Sequence, residues 1–166
     1  MVMKIGGCLL VLALLAGSAR AQGPDGKAFG LGLSLGEPAG VNAKYWFDHK
    51  NAVDMAVGYG FYPSHGVAFF ADYLYNVFTI IRAGKTPFDL LFYMGAGVKL
   101  GVWRYRQKDE DTTGVGLGVR VPFGVTMVFA RAPFDIFLEI TPSMAFIAPD
   151  PFYFDLDACI GGRFYF

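Results

Sequence analysis

A chain of 166 residues is one domain's worth of polypeptide, with 14 Lys and Arg set against 14 Asp and Glu. That balance removes the basic surplus that a nucleic-acid-binding domain carries. Aromatics at 17%, 22 Gly and only two Cys favour strands over helices and exclude a disulfide framework.

The N-terminus reads as a segment for export. Lys4 supplies a positive start, Cys8 to Ala16 an apolar core, and Ala19-Arg20-Ala21 a small-x-small cleavage site. These features predict a Sec-type signal peptide over 1–21 and a single barrel domain over 22–166. No Cys stands directly after the cleavage site, so no lipid anchor is expected. Beyond it one Cys is left, Cys159, and the loss of Lys4 and Arg20 makes the domain slightly acidic.

From Phe29 onward the chain alternates with period 2. Phe29 to Leu35, Val41 to Phe47, Val53 to Phe61 and Val67 to Tyr75 set apolar residues against small or polar ones. Phe92 to Leu100, Val115 to Val125, Ile136 to Met144 and Phe152 to Phe166 repeat the pattern. Gly- and Pro-rich turns separate the runs, which predicts eight strands. No segment after the leader is apolar for the ~18 residues of a transmembrane helix, while ~9–11 residues suffice for a tilted strand. An even number of such strands fits an all-β, eight-stranded, antiparallel up-and-down transmembrane β-barrel, closed because open edges in lipid leave backbone groups unpaired.

The two phases of the alternation differ in chemistry. One carries no charge and most of the large apolar side chains. The other carries Lys44, Asp54, Asp72, Lys99, Arg120, Glu139, Asp155, Asp157 and Arg163. A water-soluble barrel would reverse this sorting. The sequence therefore predicts lipid outside and a charged lumen inside, with Tyr45, Phe47, Tyr59, Phe61, Tyr73, Tyr75, Phe164 and Phe166 near strand ends as interfacial girdles. Eight strands leave room only for side chains, and buried charges persist when paired. A network of ion pairs plugging the lumen is the expected state, with a narrow ion or small-solute channel as the alternative. Gly30, Gly32, Gly58, Gly95, Gly97, Gly116 and Gly118 on the inward phase would make room for long Arg and Lys side chains.

With the N-terminus in the periplasm, connections 36–40, 62–66, 101–113 and 145–151 face outward, and 48–51, 78–89 and 130–135 face the periplasm. The connection 78–89 is long for a periplasmic turn, which suggests that a flanking strand extends into it. Trp103-Arg104-Tyr105-Arg106, followed by Lys108 to Asp111, is the richest outward segment. Aromatics and Arg dominate interfaces, so it is the candidate loop for an extracellular partner. Ser64-His65 is the one Ser/His neighbour pair, and it raises a lipid A-modifying enzyme as a less favoured reading. A polar turn explains the pair as well, and a triad needs an orienting acid. His49 falls in a periplasmic turn. Two separated His and one Cys have no metal-ligand spacing, so neither catalytic residues nor a metal or cofactor is expected.

Several stretches resemble a family of small bacterial outer-membrane barrels first noted in spirochaetes. They are Gly36-Glu37-Pro38, Lys44-Tyr45-Trp46, Asp72-Tyr73-Leu74, Arg120-Val121-Pro122-Phe123-Gly124 and the run "DIFLEITP" around Glu139. The layout also resembles the OmpA/OmpX type. The resemblance implies an outer-membrane location, a monomer in outer-membrane lipid, and a structural or surface-binding role with no catalytic residues to transfer. The closing "RFYF", with Phe164 and Phe166 in the apolar phase, resembles the terminal signal that such barrels present to the barrel-assembly machinery.

Overall fold

The computed structural model describes residues 23–60, 66–84, 86–107, 110–147 and 152–166; of residues 60, 103–107, 110–114, 145, 147 and 153 it describes the backbone alone. The expected leader over 1–21 lies outside the described residues, as do Phe61 and the Ser64-His65 pair.

A short 3-10 turn, Pro24–Gly26, leads into nine strand segments. They are β1 (Phe29–Glu37), β2 (Ala39–Trp46), β3 (Asn51–Gly60), β4 (Gly66–Ile81), β5 (Phe88–Gln107), β6 (Glu110–Arg120), β7 (Phe123–Phe129), β8 (Phe134–Ile147) and β9 (Tyr153–Tyr165). All pairings are antiparallel; β1 to β5 pair in chain order, as do β8 and β9, and β9 closes onto β1 with Leu31 opposite Phe164 and Leu35 opposite Ile160. β6 and β7 share both neighbours, pairing with β5 on one side and β8 on the other. They are one stave broken at Val121-Pro122, where proline lacks the N–H that the ladder needs. Gly95 N still donates to Pro122 O (2.8 Å) and Val121 N to Pro142 O (3.0 Å), so the wall is continuous. Nine segments thus make a closed eight-stranded antiparallel barrel. Closure removes the edges that an open sheet would expose.

Several strands run further than their alternation indicates. β4 continues to Ile81 through register shifts at Asn76/Phe78 and Thr79/Ile81, so the long 78–89 connection shrinks to residues 82–87. The 101–113 segment is not a loop: β5 extends to Gln107 and β6 begins at Glu110, with Trp103 opposite Gly114 and Arg106 opposite Asp111. The bulges disguise the period of β4. The polar run 107–112 simply lacks apolar residues to mark it as strand.

The barrel has a lower rim, holding Phe29, Trp46, Asn51, Phe88, Phe129, Phe134 and Tyr165, and an upper rim at the opposite strand ends. At the lower rim Asp48 builds the β2–β3 turn. Its carboxylate accepts from Lys50 N (2.7 Å), Asn51 N (2.8 Å) and Asn51 Nδ2 (2.7 and 2.9 Å), the Asx-type arrangement that short polar side chains favour. These bonds, led by the Asn51 side chain, hold the exposed Asp48 carboxyl below its usual pKa. Near the upper rim, Gly36 has φ +123°, and a Cβ there would meet Cys159 Cα at 2.9 Å. Only glycine fits.

Pro24 is buried, and a Cβ on Gly23 would strike Trp46, so residues 23–28 fold across the lower mouth. Trp46, Ala52, Leu74, Tyr93 and Tyr165 form the buried apolar floor just above it.

Candidate functional site

The inward residues of the staves pack into three charge clusters stacked above this floor. Their basis is the period of a strand, which sends alternate side chains to one face. Lys44, Asp54, Asp72, Lys99, Arg120, Glu139, Asp157 and Arg163 are all buried, and Asp155 is half-buried.

Arg163 on β9 anchors the lowest cluster. Its guanidinium pairs with Asp54 on β3 and lies 3.5 Å from Asp135 Oδ2 on β8. Its Nε donates to Asn42 Oδ1 (2.8 Å), and the group stacks 3.8 Å from the Phe137 ring centroid. Asp135 also accepts from Tyr165 OH (2.7 Å), which in turn accepts from Trp46 Nε1 (3.1 Å). Arg120 on β6 anchors the middle cluster, with Glu139 Oε1 on β8 at 3.0 Å and Asp72 Oδ1 on β4 at 3.3 Å. Thr141 Oγ1 accepts from Arg120 (3.2 Å) and donates to Glu139 (2.9 Å), and Phe70 lies under the guanidinium at 4.4 Å. Lys99 on β5 anchors the upper cluster, 2.9 Å from Asp155 and 3.3 Å from Asp157, both on β9.

Each of these cations therefore bridges two carboxylates. Lys99 with β9, Arg163 with β3 and Arg120 with β4 tie together strands that share no backbone ladder. Tyr93 OH donates to Glu139 Oε2 (2.8 Å), joining the middle cluster to the floor. Charge-assisted bonds of this type are about twice as strong as neutral ones. Lys44 differs. It faces Asp54 across the β2–β3 ladder, yet its Nζ makes no hydrogen bond; it lies 4.2 Å from the Trp46 ring centroid and 5.3 Å from that of Tyr93. Aromatic faces attract a desolvated cation.

Asp135 and the aromatic partners Trp46, Phe70, Tyr93, Phe137 and Tyr165 complete the network, and charge alone did not single them out. Asp135 is in phase with Phe137 and Glu139 and fully buried, but the turn residues before it suggest a strand beginning at Ile136. Phase, read one residue further, is the signal that would have found it.

Next to the middle cluster is a void of about 30 Å³, bordered by Asp54, Asp72, Arg120, Glu139 and Cys159. That is room for one water. Cys159 is a free thiol, half-buried at this void. His49 is exposed at the lower rim. Among the described residues no group of His, Cys, Asp and Glu is arranged to hold a metal ion.

Trp103, Arg104, Tyr105 and Arg106 have their backbone within β5, and their side chains lie outside the described residues. Phe164 and Phe166 are exposed on the outer face with ring centroids 5.2 Å apart, and Phe166 N donates to Phe29 O (2.9 Å). The outer face is apolar from rim to rim: Leu33, Leu35, Met55, Phe69, Leu117, Leu138, Phe154 and Ile160 are all more than half exposed. Aromatic pairs mark the lower rim, with Tyr45–Phe47, Phe78–Phe92 and Phe88–Phe129 centroids 5.4, 5.2 and 6.2 Å apart. No helix among the described residues is long and apolar enough to cross a membrane.

No curated protein matches the chain. Among solved structures, the N-terminal β-barrel domain of Pseudomonas aeruginosa OprF is similar, with a TM-score of 0.62 at 14% identity over 84% of this chain and 98% of that domain. At that identity the likeness shows the barrel fold alone. A family model described as "Protein of unknown function (DUF3996)" matches residues 24–151, from the 3-10 turn through β8, and the chain belongs to that family.

Proposed function

We propose that this chain is a bacterial outer-membrane β-barrel, of the small OmpA/OmpX-like kind, whose lumen is plugged by its own ion pairs and whose role is structural or surface-binding. The observation that carries the reading is the sorting of side chains by solvent. Large apolar residues such as Leu35 and Phe154, 70% and 69% exposed, point outward. The ion pairs of Lys99, Arg120 and Arg163 point inward. In water this outer face would be an aggregation hazard far larger than the patches soluble monomers tolerate; in lipid it is the required surface.

On this reading residues 1–21 are a signal peptide for export, the lower rim faces the periplasm, and the barrel-assembly machinery inserts a monomer into outer-membrane lipid. The upper hairpins, including the β5–β6 extension that carries Trp103 to Arg106, form the surface open to an extracellular ligand. The doubly bridged cations favour a plug over a narrow channel, because opening a path would leave desolvated charges without partners. The reading assigns no catalytic residue. Expression of the full chain in a Gram-negative host, followed by density fractionation and gel migration with and without heating, tests it. A heat-modifiable band in the outer-membrane fraction is expected; a folded chain in the soluble fraction would overturn the proposal.

A further inference from the structure

A cavity of about 420 Å³ opens at the lower rim, between the β4–β5 hairpin, the β2–β3 turn and the end of β7. Its size lies within the ~300–1,000 Å³ of small-molecule sites. The register shifts of β4 at Asn76/Phe78 and Thr79/Ile81 fall among its lining residues, and bulges are often found beside binding sites. Trp46, Leu91 and Val128 supply apolar lining, and Lys50 and Arg82 bring exposed cations to it.

Asn76 is the telling residue. It is 5% exposed and lines the cavity, and its Oδ1 has no hydrogen-bond partner. The amide cannot simply be turned round. Its Nδ2 already donates to the carbonyls of His49 (3.3 Å) and Lys50 (3.4 Å), and the backbone N donates to Lys50 O (2.7 Å). A buried acceptor left unmet costs on the order of 1–3 kcal/mol, so a donor is wanted there. The lining holds one carboxylate, Asp89, which accepts from Ala83 N (2.6 Å), against the two cations Lys50 and Arg82, and that balance sets the preference for an anion.

We infer that this cavity binds a small organic carboxylate that also carries an N–H donor, such as the C-terminal end of a short peptide. The carboxylate meets Lys50 and Arg82, the N–H meets Asn76 Oδ1, and the body of the ligand covers Trp46, Leu91 and Val128. The site does not depend on the lumen being sealed or on which side of a membrane the lower rim faces.

The test is a titration of the refolded full chain, ¹⁵N-labelled in detergent micelles, followed through the indole N–H of Trp46. A Trp103→Phe chain assigns the peak. The probes are N-acetyl-alanyl-alanine, its C-terminal amide, and butyrate, which lacks the N–H. A saturable shift with the first probe at a Kd below about 1 mM is expected, at least about tenfold weaker with the other two. The Lys50→Gln/Arg82→Gln chain, altered only at exposed positions, should lose about tenfold or more for the first probe. No saturation by about 10 mM overturns the inference. So does equal binding of the amide or of butyrate, unchanged affinity in the double variant, or a parallel shift of the Trp103 indole, which would signal partition into the micelle.

Discussion

Replacing Arg163 by methionine removes the cation that holds the lowest cluster together. Methionine keeps much of the aliphatic volume beside Phe137 but offers nothing to Asp54, Asp135 or Asn42. Arg163 is 1% exposed and Asp135 0%, so solvent cannot reach in to compensate. Breaking a buried pair by deleting one partner costs ~3–5 kcal/mol, chiefly because a charge is left buried alone. With an m-value of ~1–3 kcal/mol/M, that moves the urea midpoint by about 1 M or more. Folding the chain into lipid vesicles and following tryptophan fluorescence against urea measures it. The double variant Arg163→Met, Asp135→Asn removes the surplus charge and leaves Lys44 facing Asp54 across the β2–β3 ladder, and the amide oxygen placed at position 135 can still accept from Tyr165 OH. It should return to within about 2 kcal/mol of the parent, since replacing both members of a buried ion pair by neutral groups is often close to neutral. A loss under about 1 kcal/mol for Arg163→Met would refute the claim that this residue neutralises the lower lumen, as would a double variant no better than the single.

Other outcomes follow from the same frame. Met55→Arg, midway along β3 on the outer face and 52% exposed, should cost ~2–4 kcal/mol in vesicles, read from the same urea curves; no cost would argue against lipid at that position. Tyr93→Phe deletes the hydroxyl that donates to Glu139 and should cost ~1.5–3 kcal/mol, with a double-mutant cycle against Glu139→Gln assigning the loss to that bond. Asp48, titrated by carboxyl ¹³C NMR, should show a midpoint below its ordinary 3.8, moving up in Asn51→Ala. Because the folded value is depressed, the turn's contribution is present above the unfolded pKa and fades as pH falls through the folded one. An unshifted midpoint would contradict the Asx-type turn.

Much of the fold is legible in the sequence because lipid and lumen demand opposite chemistry on alternate residues. Leu31, Leu33 and Leu35 against Gly30, Gly32 and Ser34 settle both the strand and its faces. The clusters are less legible. Lys99 and its partners Asp155 and Asp157 stand far apart in the chain, and only the curling of the sheet into a closed barrel brings them face to face across the lumen. Asp135 hides behind turn residues, and Trp46, Tyr93 and Tyr165 look like apolar filler within the charged phase until their polar atoms are placed. The cavity at the lower rim is illegible, because it lies where β4 runs on through two bulges that its alternation does not announce. The polar hairpin at the tips of β5 and β6 reads as a loop for the converse reason: its pairing comes from extension of an existing ladder rather than from any apolar pattern of its own.

Single-channel recording of the refolded full chain in planar lipid bilayers tests the central claim most directly. A barrel that inserts with its three bridged cations in place should give no reproducible conductance steps, even where parallel samples prove resistant to unfolding at room temperature. Steps of constant amplitude from such folded protein would show an open path past Lys99, Arg120 and Arg163, and would contradict the plugged lumen.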